Sequence, residues 1–141
     1  MAEAKKEPKR PLPKVTELTE PFWTATKAGK LMMQRCKACS ELVWCPRPAC
    51  IECGSDQLGW EQVSGRGTVY SFTVIRQVAG RGAAFAQDIP YVLAWVDLED
   101  GPRYYTNIVD CPIDEVAIGM PVEVTFVTVT DEITLPKFKP A

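Results

Sequence analysis

The chain has 141 residues, which is room for one domain of moderate size or for a small module followed by a domain. Hydrophobic residues make up 46% and charged residues 24%, as in ordinary globular proteins, and a net charge of −2 does not indicate nucleic-acid binding. Histidine is absent, which excludes nucleophile–histidine pairs and the commonest general base, so we assign no catalytic residue to this chain.

The first 18 residues are rich in basic residues and proline, and we expect a flexible tail there. This segment lacks the apolar stretch of a secretory signal. No apolar run in the chain is long enough to span a membrane. We therefore expect a cytoplasmic protein with no membrane partner.

Residues 19–30 predict a short helix. Thr19 is suited to cap its N-terminus and Pro21 to lie in its first turn. Its large apolar residues are Phe22 and Trp23. Because the helix is short, these side chains must pack on the segment that follows, on a later domain or on a partner protein. We take both as candidate partner-binding residues.

Two C-x-x-C pairs follow, Cys36–Cys39 and Cys50–Cys53, with ten residues between them. Two thiolate pairs on tight turns at this spacing can close on one tetrahedral metal ion. A site of four cysteines leaves no position open for water, so the metal is expected to be structural. The spacing predicts one structural zinc ion bound by these four residues.

Two alternatives to zinc remain open. Iron suits a tetrahedral all-thiolate site as well as zinc does, and disulfides would require an oxidising compartment. Four thiolates around one zinc ion carry a charge of about −2, which nearby donors should offset. Arg35, Lys37 and Arg47 are the candidates for this role. Cys45 and Cys111 fall outside the pairs, and we expect them to be ordinary thiols.

Short strands are predicted on both sides of the cysteine pairs, at 31–35 and 58–63. Hairpins of this size have little core of their own, so the metal would hold them together. We therefore assign residues 19–63 to an N-terminal helix and a rubredoxin-like zinc ribbon.

A second pattern begins at residue 64. Runs rich in β-branched and aromatic residues predict strands at 68–75, 91–98, 103–109 and 121–129. Several short strands in so few residues favour a small closed barrel, because closure removes exposed edges. We assign residues 64–141 to an OB-type β-barrel, so the predicted fold is mainly β.

The connection at 77–90 is long for a link between two strands. Long loops on barrels often bind ligands or partners. Arg76 and Arg81 could meet phosphates or carboxylates. With Phe85, they are candidate ligand- or partner-binding residues, although a plain surface hairpin would also explain this segment.

A series of short motifs runs through the chain in a fixed order. They are Gly29-Lys30-Leu31, Gln34-Arg35-Cys36-x-x-Cys39, Pro46-Arg47, Cys50-x-x-Cys53-Gly54-Ser55, Trp60, Ser64 to Val74, Pro90-Tyr91, Asn107 to Cys111, Ile118 to Val124 and Leu135 to Phe138. In these motifs the chain resembles the family of small acyl-CoA-associated proteins with a rubredoxin-like zinc ribbon and an OB-fold. The resemblance covers about residues 19–139.

This sequence departs from the family pattern at three positions. Ser40 stands where the family usually has glycine, Ile51 where it usually has proline, and Cys45 in a segment that usually reads Pro-Pro-Arg. All four thiols of the metal site are present.

The resemblance implies a partner. Members of the family accompany thiolase-superfamily proteins, and the partner supplies the cysteine and histidines of the chemistry. The small protein bridges or completes the hetero-oligomer, and its barrel helps to form the acyl-CoA channel. The resemblance thus implies a non-catalytic zinc subunit of a thiolase-type complex that makes or breaks a C–C bond beside a CoA thioester. Benzoylsuccinyl-CoA is one substrate that such a thiolase could use.

The sequence leaves other functions open. The partner could be a steroid side-chain aldolase instead of a degradative thiolase. The barrel could act alone as a binder of acyl-CoA. It could also bind single-stranded nucleic acid on aromatic residues such as Tyr70 and Tyr105, but the acidic charge balance argues against this.

Overall fold

The computed structural model describes residues 10–78 and 84–141. These residues include one α-helix, a 3-10 turn at Ile113–Glu115 and eight strands. The elements are α1 (Glu20–Lys27), β1 (Met32–Cys36), β2 (Leu42–Val43), β3 (Leu58–Gln62), β4 (Arg66–Ile75), β5 (Tyr91–Leu98), β6 (Arg103–Ile108), β7 (Pro121–Thr128) and β8 (Thr134–Pro140). No helix among these residues has the length and apolarity needed to cross a membrane.

The predicted helix is present as α1, with Pro21 in its first turn as expected. Thr19 stands at the N-cap position, but its hydroxyl makes no capping hydrogen bond to the helix. Instead the backbone N–H of Thr16 donates to this hydroxyl at 2.9 Å. Thr19 has helical backbone angles, so its side chain serves the turn before the helix and leaves the first N–H groups of α1 uncapped.

The N-terminal half folds as a three-stranded antiparallel sheet in the order β2-β1-β3. Gln34 in the central strand faces Val43 on one side and Trp60 on the other. Strands β1 and β3 confirm the predicted strands at 31–35 and 58–63. The two-residue strand β2 was not predicted, because it is too short to show an alternating pattern.

The C-terminal half is a closed five-stranded barrel in the order β4-β5-β6-β8-β7, and β7 pairs back with β4. All pairings are antiparallel except that between β6 and β8, where Ile108 faces Phe138. This topology is that of an OB-fold, which confirms the predicted barrel. Strand β8 was not predicted, because Pro136 and Pro140 lie within it and proline weakens a strand pattern.

One hydrophobic core runs through both halves. Phe22 of α1 packs on Trp44 with ring centroids 5.1 Å apart, and Trp44 packs on Tyr104 of the barrel at 4.9 Å. Tyr104 in turn packs on Phe138 of β8 at 5.8 Å. The predicted division between residues 63 and 64 stays a prediction, and side-chain packing is continuous across it.

Gly67 lies where β4 and β5 approach each other closely. A Cβ atom at this position would overlap the backbone oxygen of Asp97 and would lie 2.8 Å from Val96 Cγ1. A backbone atom in a paired strand cannot move aside as the end of a flexible side chain can. The glycine is therefore required by the strand spacing at this end of the barrel.

We expect Gly67→Ala to lower the free energy of unfolding by about 1–3 kcal/mol, the usual cost of overpacking a filled interior. Gly59→Ala is the matched control, because a Cβ atom there would meet only the flexible side chain of Lys37, at 3.2 Å. Urea unfolding of the metal-loaded proteins measures both effects. Equal stability of the two variants would contradict this account of the strand contact.

Candidate metal centre and barrel cleft

The four cysteines of the two pairs come together at one point. The Sγ atoms of Cys36, Cys39, Cys50 and Cys53 all lie within 4.8 Å of one another. Cys36 is 3.6 Å from Cys53, and Cys39 is 3.6 Å from Cys50. Four sulfurs bound tetrahedrally to one zinc ion would be separated by about 3.8 Å, given Zn–S bonds of about 2.3 Å. The cluster therefore fits a zinc ion.

The two cysteine pairs lie on turns of the same construction. The backbone N–H of Ser40 donates to the oxygen of Cys36 at 2.9 Å, and that of Gly54 donates to the oxygen of Cys50, also at 2.9 Å. Both donors have left-handed backbone angles, with φ of 67° at Ser40 and 76° at Gly54. The turn requires this left-handed conformation, which is unfavourable for any residue that has a Cβ atom. Glycine, which has none, is therefore the usual residue at the position of Ser40.

The sulfurs influence each other's ionisation. A hydrogen bond from the backbone N–H of Cys39 lowers the pKa of the Cys36 thiol to about 7. A backbone hydrogen bond from Glu41 favours the thiolate of Cys39, but loss of hydration and the adjacent thiols outweigh it and raise this pKa to about 12. Four thiolates cannot form this close together without a cation between them. The chemistry of the cluster thus favours a divalent metal ion.

The predicted donors near the metal have different positions. Arg35 pairs with Glu61 and also donates to the backbone oxygen of Ser40 at 2.6 Å, so it braces the first turn. The backbone of Arg47 is fixed by the buried side chain of Gln34, whose amide donates to the Arg47 oxygen and accepts from the Arg47 N–H. Lys37 has an exposed side chain. Arg35 alone of the three contacts a cysteine turn through its side chain.

The two remaining cysteines lie outside the cluster. Cys45 is exposed. Cys111 is half-buried, and burial together with the charge of Glu115 raises the pKa of its thiol. A raised pKa is opposite to what a cysteine nucleophile needs, in agreement with the expectation that these residues are ordinary thiols.

The helix residues proposed as partner contacts have internal neighbours. Phe22 is only 3% exposed and belongs to the shared core, so its assignment as a partner-binding residue is corrected. A short helix gives no periodic signal strong enough to tell a core face from a docking face. Trp23 is half-buried and packs edge-on against Phe22 with centroids 4.9 Å apart, which leaves part of its ring at the surface.

The candidate residues of the 77–90 connection lie in different places. Arg76 is exposed just beyond the end of β4. Phe85 lines a cleft on the outside of the barrel and packs toward Tyr91 at 6.3 Å. Arg81 falls outside the described residues. Of the three, only Phe85 is thus placed in a concave site.

This barrel cleft has a volume of about 480 Å³. Its walls come from the segment 10–12, from 84–91, from the outer faces of β5 and β6, from Val129 and from the first half of β8. Aromatic and aliphatic side chains dominate the lining, among them Phe85, Tyr91, Leu93, Tyr105, Val129 and Leu135. In OB-folds the face of the second and third strands, with the loops beside it, is the usual binding surface, and the cleft lies there.

Among the residues that the structure describes, the charged side chains that border the cleft are Arg10, Asp88 and Lys137. Arg10 pairs with Asp88 at 3.1 Å. Lys137 is half-buried, and its pKa is lowered first by burial and then by the positive charge of Arg10. The sequence did not point to Lys137, since β8 was not predicted and the walls come from separate segments.

An aromatic surface continues from the cleft along the outside of the sheet. Tyr105 lines the cleft and also packs on Trp95 with centroids 4.7 Å apart. Tyr70 lies nearby, where the guanidinium of Arg103 stacks over its ring at 3.3 Å. Arg103 also pairs with Asp97 at 2.6 Å, so this positive charge is already neutralised.

Comparison with known proteins agrees with both halves of the fold. Residues 23–59 match the family described as "ChsH2, rubredoxin-like zinc ribbon domain", and residues 60–127 match "ChsH2, C-terminal OB-fold domain". The protein is thus of the class in which a four-cysteine zinc ribbon is joined to an OB-fold barrel.

Whole-chain similarities support this assignment. A chain of the solved "Ltp2-ChsH2(DUF35) aldolase" superposes with a TM-score of 0.80 and 36% identity, covering 92% of this chain and 98% of that chain. A "DUF35 domain-containing scaffold protein" of Methanothermobacter thermautotrophicus is 35% identical over 84% of this chain and 87% of its own length. The chain belongs to the ChsH2/DUF35 family of zinc-ribbon and OB-fold proteins.

A longer relative matches over part of its length. A "Probable enoyl-CoA hydratase alpha subunit" of Thermomonospora curvata is 38% identical over 94% of this chain but only 40% of its own length. The chain therefore spans less than half of that relative. The hydratase name describes a protein with a large additional part.

We expect Cys39→Ser to lose the metal and to unfold the ribbon, because metal binding and folding of such small sites are coupled. Cys45→Ser is the matched control, since Cys45 lies in the same segment but outside the sulfur cluster. Metal analysis of the purified proteins should give one zinc ion per chain for the wild type and the control, and far less for Cys39→Ser. A fully loaded Cys39→Ser protein, or iron in place of zinc, would contradict this assignment.

We expect Ser40→Gly to raise the free energy of unfolding by up to about 1 kcal/mol, because glycine adopts the left-handed conformation of the first turn without steric cost. Gly54→Ser makes the reverse change at the equivalent position of the second turn, where no atom would crowd the new side chain. It should lower stability by a similar amount. Thermal unfolding of the zinc-loaded proteins measures both changes. A less stable Ser40→Gly protein, or a more stable Gly54→Ser protein, would refute the role assigned to the two turns.

Proposed function

We propose that this chain is the non-catalytic, zinc-containing subunit of a hetero-oligomeric enzyme of the thiolase type, which makes or breaks a C–C bond beside a CoA thioester. The observation that supports the subunit role is the match to a chain of the "Ltp2-ChsH2(DUF35) aldolase", which extends over 98% of that chain at a TM-score of 0.80. The archaeal relative named as a scaffold protein supports the same kind of role, in which the chain assembles with an enzyme.

The composition of the chain supports a division of labour. Thiolase chemistry needs a reactive cysteine and a histidine base, and this sequence has no histidine. Four of its cysteines lie in the metal cluster, and the pKa of Cys111 is raised by burial. The reacting groups would therefore come from the partner, while this chain supplies a zinc-stabilised scaffold and part of the acyl-CoA site. Arg76, Arg81 and Phe85 are the proposed contacts in that site.

A second candidate is an aldolase partner, and the name of the solved relative favours it. The two partners differ in chemistry. A thiolase uses free CoA as the nucleophile and gives two thioesters, whereas an aldolase releases an aldehyde or ketone and needs no free CoA. Both cleave a bond next to a CoA thioester, so this chain could play the same part in either complex.

Binding of single-stranded nucleic acid fits the barrel surface less well. Tyr104 is buried and cannot stack on a base. One face of the Tyr70 ring is occupied by Arg103, whose charge is neutralised by Asp97. A nucleic-acid surface needs unpaired cations along the aromatic platform, and the chain as a whole is acidic.

We expect the tagged chain, purified gently from its native cells, to bring down one thiolase-superfamily protein in a fixed stoichiometry. Cys45→Ser should retain this partner and Cys39→Ser should lose it, because the ribbon without its metal cannot present a folded surface. Sizing and mass identification of the complex provide the measurement. A monomeric wild-type chain without an enzyme partner would refute the proposal.

The purified complex then separates the two candidates. Cleavage of a 3-oxoacyl-CoA that depends on added free CoA identifies a thiolase partner. Release of a carbonyl compound from a hydroxyacyl-CoA without added CoA identifies an aldolase partner and corrects the leading proposal.

A further inference from the structure

The charges in the barrel cleft do not balance. Arg10 and Asp88 neutralise each other at 3.1 Å. Lys137 has no carboxylate within 4.0 Å in the described parts of the chain, although it is half-buried among apolar walls. The described side chains that line the cleft thus carry one net positive charge.

An unpaired ammonium group in such a place is costly. Burial lowers the pKa of Lys137 because the charged form loses part of its hydration, the charge of Arg10 lowers it further, and the negative charge of Asp88 opposes these two effects only in part. An anion placed against the ammonium would remove both penalties, since it would supply the missing charge and hydrogen-bond acceptors. Lys139, two residues along the same strand, already has such a partner in Glu123 at 3.8 Å.

The side chains of the cleft walls determine the polarity and size of the uncharged part of the ligand. Phe85, Tyr91 and Tyr105 present aromatic surface, and Leu93, Val129 and Leu135 present aliphatic surface. The volume of about 480 Å³ holds a ring-sized group with room for its substituents. An apolar body with a single negative charge therefore complements both the shape and the charge of the cleft.

We propose that this cleft binds one organic monoanion with a ring-sized apolar body, and that its anionic group contacts Lys137. The inference rests on the proposed function only for the source of the ligand, which would be the acyl group of the thioester. The nucleotide end of CoA matches the described lining less well, because its phosphates carry several negative charges and the described side chains of the cleft offer an excess of one positive charge.

The test uses the zinc-loaded full chain and three probes. They are 3-phenylpropionate, its uncharged analogue 3-phenylpropionamide, and adenosine 3′,5′-bisphosphate as a stand-in for the nucleotide end of CoA. Titration followed by NMR should show saturable binding of the carboxylate, with shifts at Tyr91 and Tyr105. The amide should bind roughly tenfold more weakly, and the bisphosphate more weakly than the carboxylate.

Two variants separate the charge from the packing. Lys137→Met keeps an apolar side chain of similar length, and it should reduce carboxylate affinity roughly tenfold while leaving amide affinity unchanged. Lys137→Arg restores the positive charge and should recover most of the carboxylate affinity. Lys139→Met is the matched control on the same strand and should change neither affinity. Zinc content and thermal unfolding verify that these proteins are folded.

The outcomes decide the proposal. Lack of saturable binding by any probe, or equal affinity for carboxylate and amide, overturns it. Tighter binding of the bisphosphate than of the carboxylate overturns the assigned ligand class and favours the nucleotide end of CoA. The titration uses the lone chain and the co-purification uses the wild-type complex, so the two results are independent. Failure in the titration leaves the proposed function standing, and loss of the partner with an intact titration refutes only the proposed function.

Discussion

The convergence of four sulfur atoms within 4.8 Å of one another is the constraint on which the N-terminal half depends. Around the cysteines the ribbon has a small buried cluster of Cys36, Val43 and Cys50, and its other buried residues, such as Met33, belong to the core that it shares with the barrel. The ribbon's own cluster is far smaller than a domain needs to fold alone. A divalent ion that joins both cysteine turns supplies the missing free energy, and it also removes the repulsion that four thiolates would otherwise exert.

Aromatic contacts connect the metal-stabilised ribbon to the barrel. Trp44 lies between the two cysteine pairs in sequence, and it packs on both Phe22 of the helix and Tyr104 of β6. Because Trp44 has neighbours in both halves, a ribbon that lost its metal would also loosen the helix and uncover part of the barrel core. The metal therefore stabilises a surface much larger than the ribbon itself.

The parts of the structure that followed from the sequence are those set by local chemistry. The spacing of the four cysteines defines the metal site, since tetrahedral thiolate binding permits few arrangements. The aromatic and β-branched runs define β4 to β7. Strand β8 was not predicted, because its prolines weaken a strand pattern. Phe22 was assigned to a partner contact although it is buried in the core, because a short helix does not show which neighbour covers it. The cleft around Lys137 was not predicted from the sequence, because its walls come from separate segments that meet only in the closed barrel.

The positions of the two sites suggest how one small chain can serve an enzyme without reacting itself. The metal centre lies in the ribbon, whereas the cleft lies on the outer face of β5 and β6 between the 84–91 segment and the first half of β8. A structural zinc ion has no open position, so it can hold a scaffold next to a thioester without competing for its sulfur or carbonyl oxygen. In the proposed complex, the cleft residues can tune binding of the acyl group without changing the ribbon, because the described side chains that line the cleft do not include those that form the ribbon.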